Sequence, residues 1–180
     1  MNISAVNNLD LLLGLGAIVL QIISVFLLGL LFFGNRKNKI FDFIDKHFIY
    51  LGFFVSLISI IFSLVYSEVI RFTPCMLCWW QRVFLFPQVF LFGIALWDKD
   101  RKVIRYSLPL LCVGFLVSIY QNLIYYFGNS SGSICDFSGV SCFQHLVSVF
   151  GGYISIPMLA LTSFFFLLTI TLVVHFHNKE

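Results

Sequence analysis

Hydrophobic positions in this chain fall in long stretches that are separated by short polar segments. A helix needs about 20 predominantly apolar residues to cross the hydrocarbon core of a bilayer. Five stretches meet this requirement, residues 12–33, 48–67, 79–97, 106–127 and 150–174. The pattern therefore predicts an all-α membrane protein with five crossings, in which short linkers make consecutive helices antiparallel neighbours.

The composition supports this prediction and excludes several other classes of protein. Of the 180 residues, 60% are hydrophobic and 11% are charged, whereas soluble domains average about 45–50% and about 25%. A soluble globule of this size could not bury so much apolar surface. The 23 Phe residues exclude a disordered chain. A balance of 11 basic against 8 acidic residues gives no basic surface for nucleic acid.

The positions of the basic residues predict how the chain is oriented. All of the Lys and Arg residues except Arg71 and Arg82 lie in residues 34–47, in residues 98–105 or in the C-terminal tail. With five crossings these segments share one side, which the positive-inside rule assigns to the cytoplasm. The N-terminus and the loop 128–149 then lie outside. The first stretch has no Lys or Arg before it, so we expect a membrane span and not a secretory signal.

Four of the five cysteines fall on the predicted outer side. Cys75 and Cys78 form a C-x-x-C pair at the start of the third stretch, and Cys135 and Cys142 lie in the last outer loop. Cysteines outside the cytoplasm tend to be oxidised. The two pairs are therefore either structural disulfides or redox-active disulfides that exchange electrons.

The C-x-x-C spacing favours the redox-active interpretation. A disulfide across it closes a very small ring and adds little loop-closure stability, whereas the spacing allows a mixed disulfide to be resolved quickly by an activated thiol. A zinc site with all four cysteines as ligands is the other use of such pairs. The oxidising outer face disfavours it, and we predict no metal site. Cys112, alone inside the fourth stretch, is expected to be a packing residue.

Two charged residues lie near the C-x-x-C pair. Arg82 follows Cys78 by one helical turn, so the two share a helix face, and a cation there would stabilise a thiolate or an oxyanion on a bound quinone. Pro74 helps to place the pair at the helix start, where the helix dipole also favours a thiolate. A headgroup anchor is the alternative role for Arg82. Glu68 is a candidate for proton handling, with a plain interfacial polar residue as its alternative.

Residues 74–82, with the sequence Pro-Cys-Met-Leu-Cys-Trp-Trp-Gln-Arg, closely resemble the signature of the bacterial disulfide bond formation protein B (DsbB) family, most of all its short-loop BdbC members. The second cysteine pair in the next outer loop supports this resemblance. It covers residues 48–174 and implies an antiparallel four-helix transmembrane bundle as the core. Residues 1–47 would add one N-terminal transmembrane helix and a basic linker, and residues 175–180 a cytoplasmic tail.

What this resemblance implies is an integral membrane oxidoreductase of the bacterial cytoplasmic (inner) membrane. It would reoxidise a DsbA-like thioredoxin-fold oxidase outside the cytoplasm and pass the electrons to a membrane quinone, ubiquinone or menaquinone. The partner would exchange with the Cys135–Cys142 disulfide at Cys135. Cys142 would then exchange with Cys75, and Cys78 would deliver the electrons to the quinone. Arg82 and Glu68 would belong to the quinone site.

Two other functions remain open at this point. A vitamin K epoxide reductase-like enzyme is also a four-helix quinone-site protein with two cysteine pairs. In that family the loop pair precedes the C-x-x-C motif, whereas Cys75 and Cys78 come first here. A non-enzymatic membrane assembly factor with structural disulfides would need no cation beside Cys78, so Arg82 favours an enzyme.

The charge distribution makes a prediction about topology. In a background without the native cysteines, Asn129→Cys should react in intact cells with a maleimide that does not cross membranes. Asp100→Cys, in the basic segment 98–105, should react only after the membrane is made permeable. The reverse pattern of labelling would contradict the orientation and the outer location of the cysteines.

Overall fold

The computed structural model describes residues 3–33, 39–71, 73–127 and 153–177. These residues form the helices α1 (Ile3–Phe33), α2 (Lys39–Leu64), α3 (Met76–Asp98), α4 (Val103–Phe127) and α5 (Ile156–His177). A π-helical turn, Val65–Val69, continues α2. All five helices are long and apolar enough to cross a membrane, and the chain is a multi-pass membrane protein.

The second helix begins earlier than the hydrophobic pattern predicts. α2 starts at Lys39, within residues 34–47, which were expected to form a linker. Its first turns are amphipathic: Phe41, Ile44 and Phe48 are buried, and the residues between them are more exposed. Hydropathy detects a stretch that is apolar on all sides, so it misses a helix end of which only one face is buried.

Four of the helices form a closed ring. α2, α3, α4 and α5 each pack against the next, and α5 packs against α2. α1 lies outside this ring and packs against α5. The predicted fold class is confirmed, a four-helix transmembrane bundle with one extra N-terminal helix. α5 packs mainly against α1, α2 and α4 and supplies much of the core, which is why Phe164, Leu167 and Ile170 are fully buried.

The bundle is densely packed toward one end. Here α2 and α4 begin and α3 and α5 end, and their apolar side chains form one buried cluster. A Cβ atom added to Gly52 would lie 2.6 Å from Cε1 of Phe92, so only glycine admits this ring. The opposite end, where α3 begins with Cys75 and Cys78, encloses a cavity. The fold thus leaves space beside the cysteines.

Hydrogen bonds attach α1 to the bundle at its polar positions. Tyr66 donates a hydrogen bond to the buried carboxylate of Asp10. Gln21 Nε2 donates to Thr162 Oγ1 on α5 at 2.8 Å, and Tyr153 donates to Gln21 Oε1 at 3.1 Å. Polar groups in hydrocarbon are costly without partners, so these bonds fix the depth at which α1 lies beside the bundle.

Candidate functional site

The C-x-x-C pair lies at the first turn of α3. Cys75 is the N-cap residue with an extended backbone (φ −70°, ψ 169°), and its carbonyl oxygen accepts the first helical hydrogen bond from Trp79 N at 3.2 Å. Cys78 lies in the first turn of α3, so its side chain lies on the same side of the helix as the N-cap residue Cys75. The two sulfur atoms lie 3.2 Å apart, farther than the length of a disulfide bond. The exposed N–H groups of the helix start favour negative charge on sulfur here.

An amide that the sequence analysis missed contacts both sulfurs. Gln121, on α4, is buried, and its Nε2 donates to Cys78 Sγ at 3.2 Å and approaches Cys75 Sγ at 3.6 Å. Within the described part of the chain, Gln121 Oε1 accepts no hydrogen bond. The signal in the sequence was a carboxamide inside an apolar stretch, because such a group requires a partner in the membrane.

The Arg82 guanidinium is bound to the end of α2. It is only 9% exposed. Its Nε donates to Ser63 Oγ at 2.9 Å and its Nη2 to the Ser63 carbonyl oxygen at 2.9 Å. The guanidinium carbon lies 5.3 Å from the centre of the Trp79 ring, a cation–π contact. Arg82 is therefore held inside the protein and does not extend along the surface as a headgroup anchor would.

Glu68 lies at the edge of this site. It is exposed on the π-helical turn that follows α2, and its Oε1 accepts a hydrogen bond from Ser67 Oγ at 2.9 Å. The same hydroxyl oxygen lies 3.5 Å from Arg82 Nη1. Ser67 thus connects the carboxylate to the guanidinium. Cys135 and Cys142, the other two candidate residues, lie outside the described residues.

A cavity of about 630 Å³ lies between α1, α2, α3 and α5. Its walls are mostly apolar, and its polar groups gather near the start of α3, where Ser63, Cys78 and Arg82 all line it. Cys75 does not line the cavity. It is 3% exposed and packs against Leu77, Cys78 and Ile124. The two cysteines therefore have different surroundings, and only Cys78 borders the cavity.

A second, more open groove of about 740 Å³ lies on the surface of the bundle, between α3 and α4. Arg82 borders this groove too, together with Trp79, Arg105 and Tyr106. Neither Cys75 nor Cys78 lines it. The cavity that contains Cys78 is therefore the better candidate for a ligand that reacts with sulfur.

Comparison with known proteins finds relatives for most of the chain. A family described as "Disulfide bond formation protein DsbB" matches residues 45–174. "Probable disulfide formation protein C 2" of Bacillus anthracis is 38% identical over 121 residues, which are 67% of this chain and 85% of the relative. "Disulfide bond formation protein C" of Bacillus subtilis is 39% identical over 117 residues, 65% of this chain and 84% of the relative. No solved structure matches this chain.

The contact between Gln121 and the sulfurs leads to a prediction. A donated hydrogen bond stabilises a thiolate more than a disulfide, so Gln121→Leu should make the pair harder to reduce. A hydrogen bond to a charged group contributes about 1.5–3 kcal/mol, which corresponds to a midpoint potential lower by roughly 30–60 mV. The measurement is a redox titration of the purified protein in detergent, with alkylation of Cys75 and Cys78 followed by mass spectrometry.

Gln81→Leu is the matched control for this titration. Gln81 is also a buried glutamine, but its Nε2 donates to Ser118 Oγ at 3.1 Å. Its replacement should leave the midpoint potential unchanged. An equal shift in both variants would show that the effect comes from repacking of the α3–α4 interface and not from the bond to sulfur.

Proposed function

Because this multi-pass membrane protein belongs to the DsbB family of disulfide bond formation proteins, we propose that it reoxidises a DsbA-like thioredoxin-fold oxidase and passes the electrons to a membrane quinone. One observation carries this proposal. Cys78 and Arg82, a thiol and a fixed cation, line the same apolar cavity within the bundle. A disulfide that only stabilised the fold would need neither a cation nor a cavity beside it.

The cavity has the chemistry that a quinone requires. A quinone, ubiquinone or menaquinone, combines a flat ring that carries two carbonyl oxygens with a long apolar tail. Arg82 uses three of its five N–H donors on Ser63 and Ser67, so it has donors left for a carbonyl oxygen. The apolar walls would hold the ring and the start of the tail. A quinone bound there supplies the acceptor for two electrons and two protons.

The surroundings of the two cysteines support different roles for them. Cys78 borders the cavity, so it is the sulfur that would face the acceptor. Cys75, which packs away from the cavity, is the sulfur that would exchange with Cys142. The partner's dithiol is oxidised as the Cys135–Cys142 disulfide is reduced, and that pair in turn reduces the Cys75–Cys78 disulfide. Two electrons and two protons leave the pair when its disulfide forms again.

Neighbouring groups would assist the release of electrons from Cys78. Gln121 Nε2 and the helix start stabilise negative charge on its sulfur, and Arg82 keeps a positive charge at the cavity wall. Glu68 is exposed to water and is connected to Arg82 through the Ser67 hydroxyl. We assign it to proton exchange between the site and the aqueous side.

The family match also bears on the alternatives. The named relatives are disulfide formation proteins, which supports the generation of disulfides over a vitamin K epoxide reductase-like activity. The cavity beside Cys78 argues against a non-enzymatic assembly factor. The proposed location is the bacterial cytoplasmic membrane, with the N-terminus and the cysteines outside and the C-terminus in the cytoplasm.

The proposed roles of the cysteines predict a simple pattern of activity. With a reduced thioredoxin-fold oxidase as electron donor, Cys78→Ala should abolish quinone reduction by the purified protein. Cys112→Ala is the control, because Cys112 is a half-buried thiol of α4 that lines neither the cavity nor the groove, and this variant should keep nearly normal turnover. Cys142→Ala should accumulate a mixed disulfide between Cys135 and the partner.

Either of two results would contradict this assignment. A folded but inactive Cys112→Ala protein would mean that an essential thiol has been overlooked. Normal oxidation of the partner by both Cys135→Ala and Cys142→Ala would mean that the loop pair is structural.

The contacts of Arg82 predict how its variants respond to quinone. Arg82→Gln should raise the KM for quinone roughly 10- to 100-fold, because a charge-assisted hydrogen bond of about 1.5–3 kcal/mol is lost. Arg82→Lys should recover only part of this loss, since an ammonium group cannot bond Ser63 and a ligand with the same planar fork. Steady-state kinetics with a short-chain ubiquinone would give these values.

Arg105→Gln provides the control for Arg82. It removes a guanidinium that borders the groove between α3 and α4 but not the cavity, so the KM for quinone should not change. If Arg105→Gln raises this KM, quinone binds in the groove, which Arg82 and Arg105 both border, and not in the cavity.

A further inference from the structure

The first helix contributes a wall to the cavity that contains Cys78. α1 precedes residues 45–174, which match the DsbB family, so this wall is an addition to the family core. Its lining residues follow helical spacing and form one face of α1: Leu12, Leu13, Gly16, Ala17, Val19 and Leu20. The face is apolar and has two small residues at its centre. The cavity is therefore enclosed in part by an element that lies outside the four-helix ring.

Among the described helices, the backbone of α1 packs closely against α5 alone. α1 packs against α5 along its length but makes no close backbone contact with α2 among the described residues. Side chains of both helices nevertheless line the cavity, Leu20 from α1 and Val55, Ile58 and Phe62 from α2. A seam lined by apolar side chains therefore separates α1 from α2. Leu12, Val19 and Ile58 line it and are exposed, so the seam opens at a surface that lipid would cover.

The seam is closed at the end near the cysteines. There Tyr66, at the end of α2, donates its hydrogen bond to Asp10 of α1, and both side chains are buried. This bond joins the two helices directly above the polar part of the cavity. A ligand whose polar head lies beside Cys78 and Arg82 is thus closed off at that end, and an apolar extension of it has the seam as its way to the bilayer.

We propose that α1 is a specificity-determining wall of the quinone site, against which the first part of the isoprenoid tail packs as it leaves between α1 and α2. This inference rests on the proposed function, because it takes the occupant of the cavity to be a quinone. Gly16 has a central place in the wall. A Cβ atom added to it would meet no heavy atom within 4 Å, so the space in front of it is open to the tail.

The test fills this space. Gly16→Leu should extend into the cavity without a clash, whereas Gly29→Leu makes the same substitution on the same helix at a position that is also open but does not line the cavity. Binding is measured by quenching of tryptophan fluorescence, because Trp79 stacks on Arg82. The probes are decylubiquinone, which carries a tail, and the tail-less ubiquinone head group.

Gly16→Leu should weaken the binding of decylubiquinone at least tenfold and the binding of the tail-less head group much less, and Gly16→Ala should have an intermediate effect. Gly29→Leu should bind both probes as the wild type does. Gly29→Leu should keep normal disulfide exchange with the reduced oxidase, and a circular dichroism spectrum that matches the wild type should show that all three variants are folded.

Three outcomes would overturn the proposal. In the first, Gly16→Leu binds both probes as tightly as the wild type. In the second, Gly29→Leu loses as much affinity as Gly16→Leu, so that the effect belongs to the helix and not to the wall. In the third, the wild type itself binds neither probe, and then the proposed function fails together with the inference. If quinone reduction through Cys78 is normal and either of the first two outcomes is found, the proposed role of α1 is refuted and the proposed function of the protein is not.

Discussion

A guanidinium within a transmembrane bundle has to be neutralised or hydrogen-bonded, and much of this site follows from how the protein meets that requirement for Arg82. An arginine at the centre of a membrane helix costs about 2.5–3.5 kcal/mol on insertion scales, and Arg82, in the second turn of α3, incurs a smaller cost of the same kind. Ser63 offsets this cost with a hydroxyl and a carbonyl oxygen at the end of α2, and Trp79 covers the cation with its ring. These contacts fix α3 against α2, and thereby set where Cys78 meets the cavity. Arg82 thus holds α3 against α2 and also supplies the positive charge at the wall of the cavity.

The unequal packing of the two ends of the bundle follows from which side chains meet there. Large aromatic residues fill one end and approach the backbone so closely that glycine is required opposite Phe92. Toward the cysteines the helices present serine, glycine and alanine to the interior, and these small side chains leave the cavity open. The dense end supplies the rigidity that a hollow end lacks. A site that must admit a bulky ligand can therefore be built into a small bundle without loss of the fold.

Sequence patterns predicted the parts of this molecule that depend on local chemistry. Five apolar stretches predicted the five helices, and the spacing of Cys75, Cys78 and Arg82 predicted their common position at the start of α3. Gln121 was not predicted, because its role depends on the register between α3 and α4, which no local pattern encodes. The contribution of Ser63 was missed for the same reason. The predictions for Cys135 and Cys142 still rest on the family resemblance, and the orientation of the chain rests on its basic residues.

Cys75 and Cys78 have different surroundings, and this difference bears on the proposed path of the electrons. In the proposed reaction, the partner protein is dissolved in water and the electron acceptor is dissolved in lipid, so the two do not share one medium. The short C-x-x-C spacing places the two sulfurs in different surroundings, since Cys78 borders an apolar cavity while Cys75 is buried outside it beside Ile124. Because the sulfurs lie 3.2 Å apart, formation of one disulfide would pass electrons to the proposed quinone without movement of that quinone into water. The hydrogen bond between Tyr66 and Asp10 serves the same separation, because it closes the seam between α1 and α2 at the end where the cysteines lie, and the proposed route for an apolar tail is then the rest of the seam.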